Sequence, residues 1–360
     1  MSSSNGRTIE PSSATPFAQC PLPITDTPQI LLGHGSGGKL TSRLVEQIFL
    51  PAFRNSALEA LDDQAIFTIG NSRIAFTTDS YVITPIFFPG GDIGELAVNG
   101  TINDLAMGGA KPLYLSLAFI LEEGLPISDL ERIVASAKCA AKSAGVHIVT
   151  GDTKVVGRGS GDKIFINTSG IGVVPPGINL SSRNVRPGDA ILLSGPIGDH
   201  GVAILSTREG LEFEGALKSD TAALHELAAE MLKACPEIHA MRDPTRGGLA
   251  ATLVEIASRQ HLGIDVEEKL IPIRDTVRGA CEILGLDPLL VANEGKLVAF
   301  VPEKDAERVL VAMRQHPLGR DASLIGRVTE EHADFVILRT PIGGDRVLDL
   351  PFGEALPRIC

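Results

Sequence analysis

From Ile30 to about Val174 the chain alternates apolar runs of strand length with stretches of helical period. After a proline-glycine break it begins the same alternation again. This pattern constrains the fold strongly, because every strand and helix buries one face and must find a partner layer. Ile74–Thr78 reads as a buried strand and Ile93–Met107 as a helix rich in small residues. Leu113–Ile120, Val146–Thr150 and Lys163–Val174 read as further strands. Ser128-Asp129-Leu130-Glu131 has the form of a capping box. The helix it opens carries apolar residues at Leu130, Ile133, Val134, Ala137, Ala141 and Ala144, and Gly145 stops it. Pro175-Pro176-Gly177 breaks the pattern, and Arg186-Pro187-Gly188-Asp189 is a turn before a strand at Ala190–Ser194. In the second half helices are predicted around Thr221–Lys233, Gly248–Arg259 and Ala306–Gln315, with strands at Leu297–Val301 and Phe335–Leu338. A length of 360 residues suggests two domains. The expected boundaries are a leader at 1–28, an N-terminal domain at 29–178, a C-terminal domain at 179–340 and a tail at 341–360.

Composition bears on what kind of site such a chain builds. With 38 Gly, 2 Tyr and no Trp, it favours tight turns and backbone-lined sites over aromatic stacking platforms. A formal net charge of −12 disfavours nonspecific nucleic-acid binding and anionic membranes. A polyanion such as ATP would then be held with the help of a cation. The cysteines are Cys20, Cys139, Cys235, Cys281 and Cys360, with no CxxC, so reduced thiols and a cytoplasmic location are expected. Cys139 lies in a helical pattern and reads as core. Met1–Pro28 is rich in Ser, Thr and Pro and reads as a disordered leader, not a signal peptide. No apolar run approaches membrane-spanning length.

The sequence given ends Pro357-Arg358-Ile359-Cys360. A terminal thiol is poorly placed to be structural and well placed to travel. The stretch from Gly343 to Glu354 alternates glycine with apolar residues and is expected to swing, with a reach from Gly343 of at most about 55 Å. One reading is an incidental cysteine. The other is a thiol that carries a covalent group into an active site.

Two signals point to that site. Gly33-His34-Gly35-Ser36-Gly37-Gly38-Lys39 is the densest glycine cluster, and its backbone N–H groups suit a phosphate. It nearly matches a P-loop, but Leu40 stands where Ser or Thr should bind Mg²⁺, and Thr41 comes one place late. A phosphate-covering loop and a plain structural turn both remain open. The second signal is a scatter of carboxylates at strand ends or in short turns: Asp62-Asp63, Asp79, Asp104, Asp152 and Asp243. Carboxylates converging from several strand ends hold Mg²⁺ against substrate phosphates, although each alone also fits a cap or turn. Asp243-Pro244-Thr245-Arg246-Gly247-Gly248 opens a helix whose N-terminus suits an anion, with Arg246 as a bidentate partner and Thr245 as an alternative plain cap. Glu294 in Asn293-Glu294-Gly295 fits either a general base or a solvated turn. Lys154 beside Asp152 fits a salt bridge or a substrate-positioning cation. His200, in Gly198-Asp199-His200-Gly201, reads as structural.

Taken in order, these motifs resemble the ATP-binding superfamily of aminoimidazole ribonucleotide synthetase, selenophosphate synthetase and thiamine monophosphate kinase. Within it they are most similar to the HypE family of carbamoyl dehydratases of hydrogenase maturation. The resemblance runs from about Ile30 to Cys360. It rests on Gly33–Gly38, Thr77-Thr78-Asp79-Ser80-Tyr81, Phe87-Phe88-Pro89-Gly90-Gly91, Gly151–Val156, Asp243–Gly248, Asn293–Lys296 and the terminal Pro-Arg-Ile-Cys. Selenophosphate synthetase would need a lysine beside its N-terminal cysteine, and none neighbours Cys20.

The resemblance implies a two-domain α+β fold with a flexible C-terminal tail, dimerising through its N-terminal domains. It implies ATP-dependent dehydration of an S-carbamoyl group on Cys360 to a thiocyanate, with Glu294 and Lys154 at the carbamoyl nitrogen. ATP would be bound by Gly35, Ser36, Gly37, Gly38, Asn103, Asp152, Thr153, Thr245, Arg246 and Gly247. Mg²⁺ would be held by Asp63, Asp79, Asp104 and Asp243. The implied partners are the carbamoyltransferase HypF and a HypC–HypD scaffold that passes cyanide to the iron of [NiFe] hydrogenase. Rival readings are a thiol carrier without chemistry and a small-molecule kinase of the same superfamily.

Overall fold

Two sheets organise the chain: the first has helices against one face, and the second is covered on both faces. The computed structural model describes residues 29–211, 217–351 and 359, so the leader at 1–28 and the thiol of Cys360 lie outside the described residues. The first sheet runs Ala65–Ile69, Ser72–Tyr81, Ile164–Val174 and Lys111–Glu122, all antiparallel to their neighbours. His147–Thr150 and Thr153–Val156 then both pair parallel to Lys111–Glu122. Period-two burial gives its long strands two distinct faces. In Ser72–Tyr81, Ala75, Thr77 and Tyr81 are buried, while Phe76, Thr78 and Ser80 are exposed. The helix Ile93–Met107 packs on the inner face and is buried along almost its whole length, as its small residues led one to expect.

The second sheet runs Ala240–Arg242, Val298–Pro302, Asp189–Leu193, Ser323–Thr329, Gly263–Glu267, Val336–Arg339 and Asp345–Leu348. Helices Gly248–Gln260 and Glu303–Gln315 pack against it. The halves share a core in which Ala75, Leu105, Met107 and Val174 meet Leu192, Leu227, Val301 and Val309. The two sheets therefore sit in one unit, Leu32–Cys360. Among the described residues no helix is long and apolar enough to cross a membrane.

Several local expectations are corrected. The capping box does not form. The helix runs Ile127–Ser143 with Pro126 at its N-cap, and the amides of Asp129 and Leu130 bond the Pro126 carbonyl at 3.1 and 3.2 Å. Ser128 is thus already inside the first turn and cannot cap it. Cys139 is exposed, not core, because the buried stripe is Ile133, Ala137 and Ala141 and a residue two places beyond Ala137 faces away from it. His200 lies in the first turn of a helix, Asp199–Glu209, not in a glycine turn. That helix escapes its sequence signal because Asp199–Ile204 is buried all round, leaving no amphipathic contrast. Within the segment expected to be a tail from residue 341, Asp345–Leu348 is an edge strand paired with Val336–Arg339.

Candidate active site

The inner face of Ser72–Tyr81 supplies the centre of the site. Thr77 Oγ1 lies 2.7 Å from Asp104 Oδ2 and 2.9 Å from the Asp63 carbonyl. Burial pushes the Asp104 carboxyl well above the usual range, and Asp243, Asp79 and Asp63 push it further, against the Thr77 hydrogen bond. Burial also raises Asp243 to about 6 against the pull of Arg242, and raises Asp63 well above its ordinary value. Arg242 sits 2.7 Å from Asp63 Oδ1. Burial works against the Arg242 charge, but Asp63 and Glu255 outweigh it and raise its pKa. Carboxylates that repel one another while desolvated favour protons or an entering cation.

Glu294 joins this cluster and is 3 % exposed, so it is not a solvated turn residue. Burial first, then Asp243, Asp220 and Asp79, raise its pKa well above the usual value, with Arg246 pulling it down. Its Oε1 and Asp63 Oδ2 are buried without a hydrogen-bond partner among the described residues. The backbone of Glu294 is fixed by an amide bond to Asp220 Oδ1 at 3.1 Å, and Lys296 Nζ holds Asp220 Oδ2 at 2.9 Å. Burial opposes ionisation of Asp220, but Lys296 and His200 outweigh it and keep its carboxyl below the usual range.

The glycine loop closes over Arg246. Gly37 has φ of +76°, and a Cβ there would lie 2.7 Å from the Arg246 carbonyl, so only glycine allows the approach. Arg246 Nη1 donates to the Gly35 carbonyl at 3.1 Å. Thr41 Oγ1 accepts from the Gly37 amide at 3.0 Å and so braces the loop. Lys39, the expected phosphate cation, pairs with Asp349, and its amide bonds the Pro351 carbonyl at 3.1 Å. Thr245 does not cap the next helix by its side chain. Gly247, at φ of +78°, is the N-cap of Gly248–Gln260.

Other expected site residues stand elsewhere. Asn103 is committed to the protein: Oδ1 accepts from Leu224 N at 2.8 Å, and Nδ2 donates to the carbonyls of Ala222 and Glu294 at 3.1 and 3.3 Å. It clamps the Glu294 turn. Asp152 and Lys154 pair with each other at 2.9 Å, about two-thirds exposed. Lys154 is in register with Ile120, and Thr153 with Phe119, at the edge of the first sheet. Among the described residues no three His, Cys, Asp or Glu side chains are grouped closely enough to hold a metal ion by themselves. Sequence reasoning assigned no role to Arg242, Asn293 or Asp220. Buried Asn293 ties the Asp243 and Glu294 turns together, accepting from Gly198 N at 2.7 Å and donating to the Pro244 carbonyl at 2.8 Å. Arg242 and Asn293 adjoin the motifs already quoted, which was the available signal. Asp220 had none.

Known proteins match this chain along most of its length. Residues 61–174 match the family model of the AIR synthase related protein, N-terminal domain, and residues 186–339 match that of its C-terminal domain. The carbamoyl dehydratase HypE of Azotobacter vinelandii is 58% identical over 327 residues, covering 91% of this chain and 96% of the relative. The crystal structure of a hydrogenase maturation protein HypE in complex with ATP matches with a TM-score of 0.78 at 50% identity, covering 92% of this chain and 100% of the other. The crystal structure of a HypE–HypF complex matches with a TM-score of 0.81 at 48% identity, covering 86% and 99%.

Proposed function

The chain belongs to the HypE family of carbamoyl dehydratases within the AIR synthase related proteins, and we propose that it dehydrates a carbamoyl group carried on the thiol of its own Cys360. It is an ATP-dependent carbamoyl dehydratase of hydrogenase maturation. The observation that carries the finer reading is the buried Glu294 carboxyl, with Oε1 lacking a hydrogen-bond partner among the described residues, near Asp243, Asp220 and Asp79 and with Arg246 and the glycine loop alongside. Ile359, the residue before Cys360, is bedded in the same unit against Ile83.

In this reading the carbamoyl oxygen attacks the γ-phosphorus of ATP and ADP departs. The C–O bond then breaks with phosphate leaving, the nitrogen loses its protons, and the C≡N bond of a thiocyanate forms. Glu294 takes a proton from the carbamoyl nitrogen, and its desolvation makes it a stronger base than an exposed glutamate. Arg246 favours the ionised form of Glu294 and, with the Gly35–Gly38 loop, neutralises the phosphates. The partnerless oxygens of Asp63 and Glu294, and the repulsion among the carboxylates, fit a bound cation. Asp79, Asp104 and Asp243 would hold Mg²⁺, with Asp63 offering only Oδ2 beside its ion pair; the ion would supply charge compensation on the phosphates. One or two carboxylates plus phosphate oxygens suffice for Mg²⁺, so the lack of a closed protein cage does not oppose the assignment.

A homodimer is supported by the outer face of the first sheet. Phe76, Ile171 and Tyr114 lie in register across three strands and are all exposed, and Ile69 and Ile120 extend the apolar surface. Lys154 lies on that face and would act from the dimer interface. HypF is the proposed carbamoyl donor, a HypC–HypD scaffold the proposed acceptor of cyanide, and the cytoplasm the proposed location.

Intact mass of the protein after carbamoylation by HypF, with and without Mg-ATP, tests the reading. The expected result is loss of the mass of one water from the C-terminal peptide, only with ATP. The same loss in Cys360→Ala would overturn the assignment of the thiol. An adduct that persists with ATP would leave a carrier.

A further inference from the structure

Ile359 is the described residue nearest the proposed acceptor thiol, and it is 3 % exposed. It makes an antiparallel bridge to Ile83 and belongs to a core with Ile83, Ile204 and Ala292. The slot is kept open by Gly201, where a Cβ would lie 3.2 Å from Ile359 Cδ1 and 2.5 Å from Val291 Cγ1. The carbonyl of Ile359 meets His200 Nε2 at 2.6 Å. His200 is fully buried and its Nδ1 lies 2.8 Å from Ser219 Oγ.

The hydrogen-bond roles follow from the partners. A carbonyl only accepts, so Nε2 carries the hydrogen. Burial depresses the His200 pKa and keeps the ring neutral, so Nδ1 is bare and accepts the Ser219 hydroxyl hydrogen. Ser219 Oγ in turn accepts the Thr221 amide at 3.1 Å. The chain Thr221 N–H, Ser219 O–H, His200 N–H, Ile359 C=O points in one direction and fixes one tautomer. The Phe87–Gly91 motif, left without a role by the chemistry above, braces this chain. Phe88 packs edge-on against the His200 ring with centroids 5.6 Å apart, and the Pro89 carbonyl holds the Ser219 amide at 2.8 Å.

We propose that His200, oriented by Ser219, is the receptor for the tail: a positioning residue that holds the Ile359 carbonyl and so sets where the next residue, Cys360, resides. The proposal rests on the reading in which Cys360 carries the carbamoyl group. The receptor contact is a directed hydrogen bond to backbone in an apolar slot, beside the bridge to Ile83. It therefore recognises the tail whatever group the thiol bears.

The test uses the full-length protein carrying His200→Phe, His200→Gln or Ser219→Ala. Two rates are followed: alkylation of Cys360 by a maleimide without ATP, read on the C-terminal peptide, and single-turnover loss of water from the HypF-carbamoylated protein. His200→Phe removes the donor and is expected to speed alkylation about tenfold and slow dehydration by a similar factor, with the KM for ATP unchanged. His200→Gln, which keeps a donor, is expected to restore much of both. Ser219→Ala is expected to act in the same direction more weakly, and serves if His200→Phe does not fold. Folded His200→Phe or Ser219→Ala protein with wild-type alkylation and dehydration rates overturns the receptor role. Wild-type protein that never loses water overturns the underlying reading instead, so the two failures are distinct.

Discussion

Replacing Asp243 with asparagine removes one charge from the buried carboxylate cluster, and the effect on the ligand-free protein follows from the folded-state pKa. That pKa is raised from 3.8 to about 6, chiefly by burial. The folded state therefore holds a proton that the unfolded state has lost between about pH 4 and pH 6. Stability from this group is fully present below the unfolded value and is lost as pH rises through the folded one. At about 1.36 kcal/mol per unit, the ionised carboxylate costs about 3 kcal/mol at pH 7.5 and about 1 kcal/mol at pH 4.5. Asparagine resembles the neutral acid and escapes that cost. Denaturant unfolding in chelator, without nucleotide, is expected to show Asp243→Asn more stable than wild type at pH 7.5, with the advantage shrinking by about 2 kcal/mol at pH 4.5. Mg-ATP is expected to stabilise wild type and to stabilise the variant much less. An advantage of equal size at both pH values, or a variant less stable at pH 7.5 than at pH 4.5 relative to wild type, would refute the electrostatic reasoning.

Three further outcomes are expected. Glu294→Gln should slow single-turnover dehydration by about 10² to 10⁴-fold while ATP still binds, and a wild-type rate would remove Glu294 as the base. Ile171→Asp, at a position 41 % exposed on the apolar sheet face, should shift the protein from dimer to monomer in sedimentation, and an unchanged mass would place any interface elsewhere. Gly295→Ala would put a Cβ 1.8 Å from the Asp220 carbonyl oxygen and should cost about 2–4 kcal/mol with loss of activity, whereas an unchanged melting temperature would contradict the backbone described at the Glu294 turn.

The legible part of this chain was whatever repeats locally. Period-two strands such as Ser72–Tyr81 and amphipathic helices such as Glu303–Gln315 declared themselves, because burial follows spacing there. The carboxylates at strand ends were legible as types, but their states were not. Whether Glu294 is solvated or buried depends on Asp220 and Asn103, which lie 74 and 191 residues away. The hydrogen bonds that Asn103 makes to the backbone of Leu224, Ala222 and Glu294 could not be read from the sequence, because those partners lie more than a hundred residues away. The same limit applied to His200, a turn residue in sequence, whose partner is 159 residues away. Ser128 shows that even a local signal yields to a neighbour, since Pro126 starts the helix one turn position early.

Two functions that look separate hang on one short segment. Ser219 orients His200 and through it the Ile359 carbonyl, while Asp220 holds the Glu294 amide and is itself anchored by Lys296. The two side chains take different partners, so this segment of two residues contacts both the proposed tail receptor and the proposed base. A tail bound at Ile359 and a base held at Glu294 are then fixed relative to each other by the same few bonds. That is what an intramolecular reaction needs, because the gain from bringing reactants together is realised only if both ends of the reacting geometry are held. The cluster's desolvation serves the same end. It lowers the stability of the ligand-free fold and would make Glu294 a stronger base in the proposed reaction.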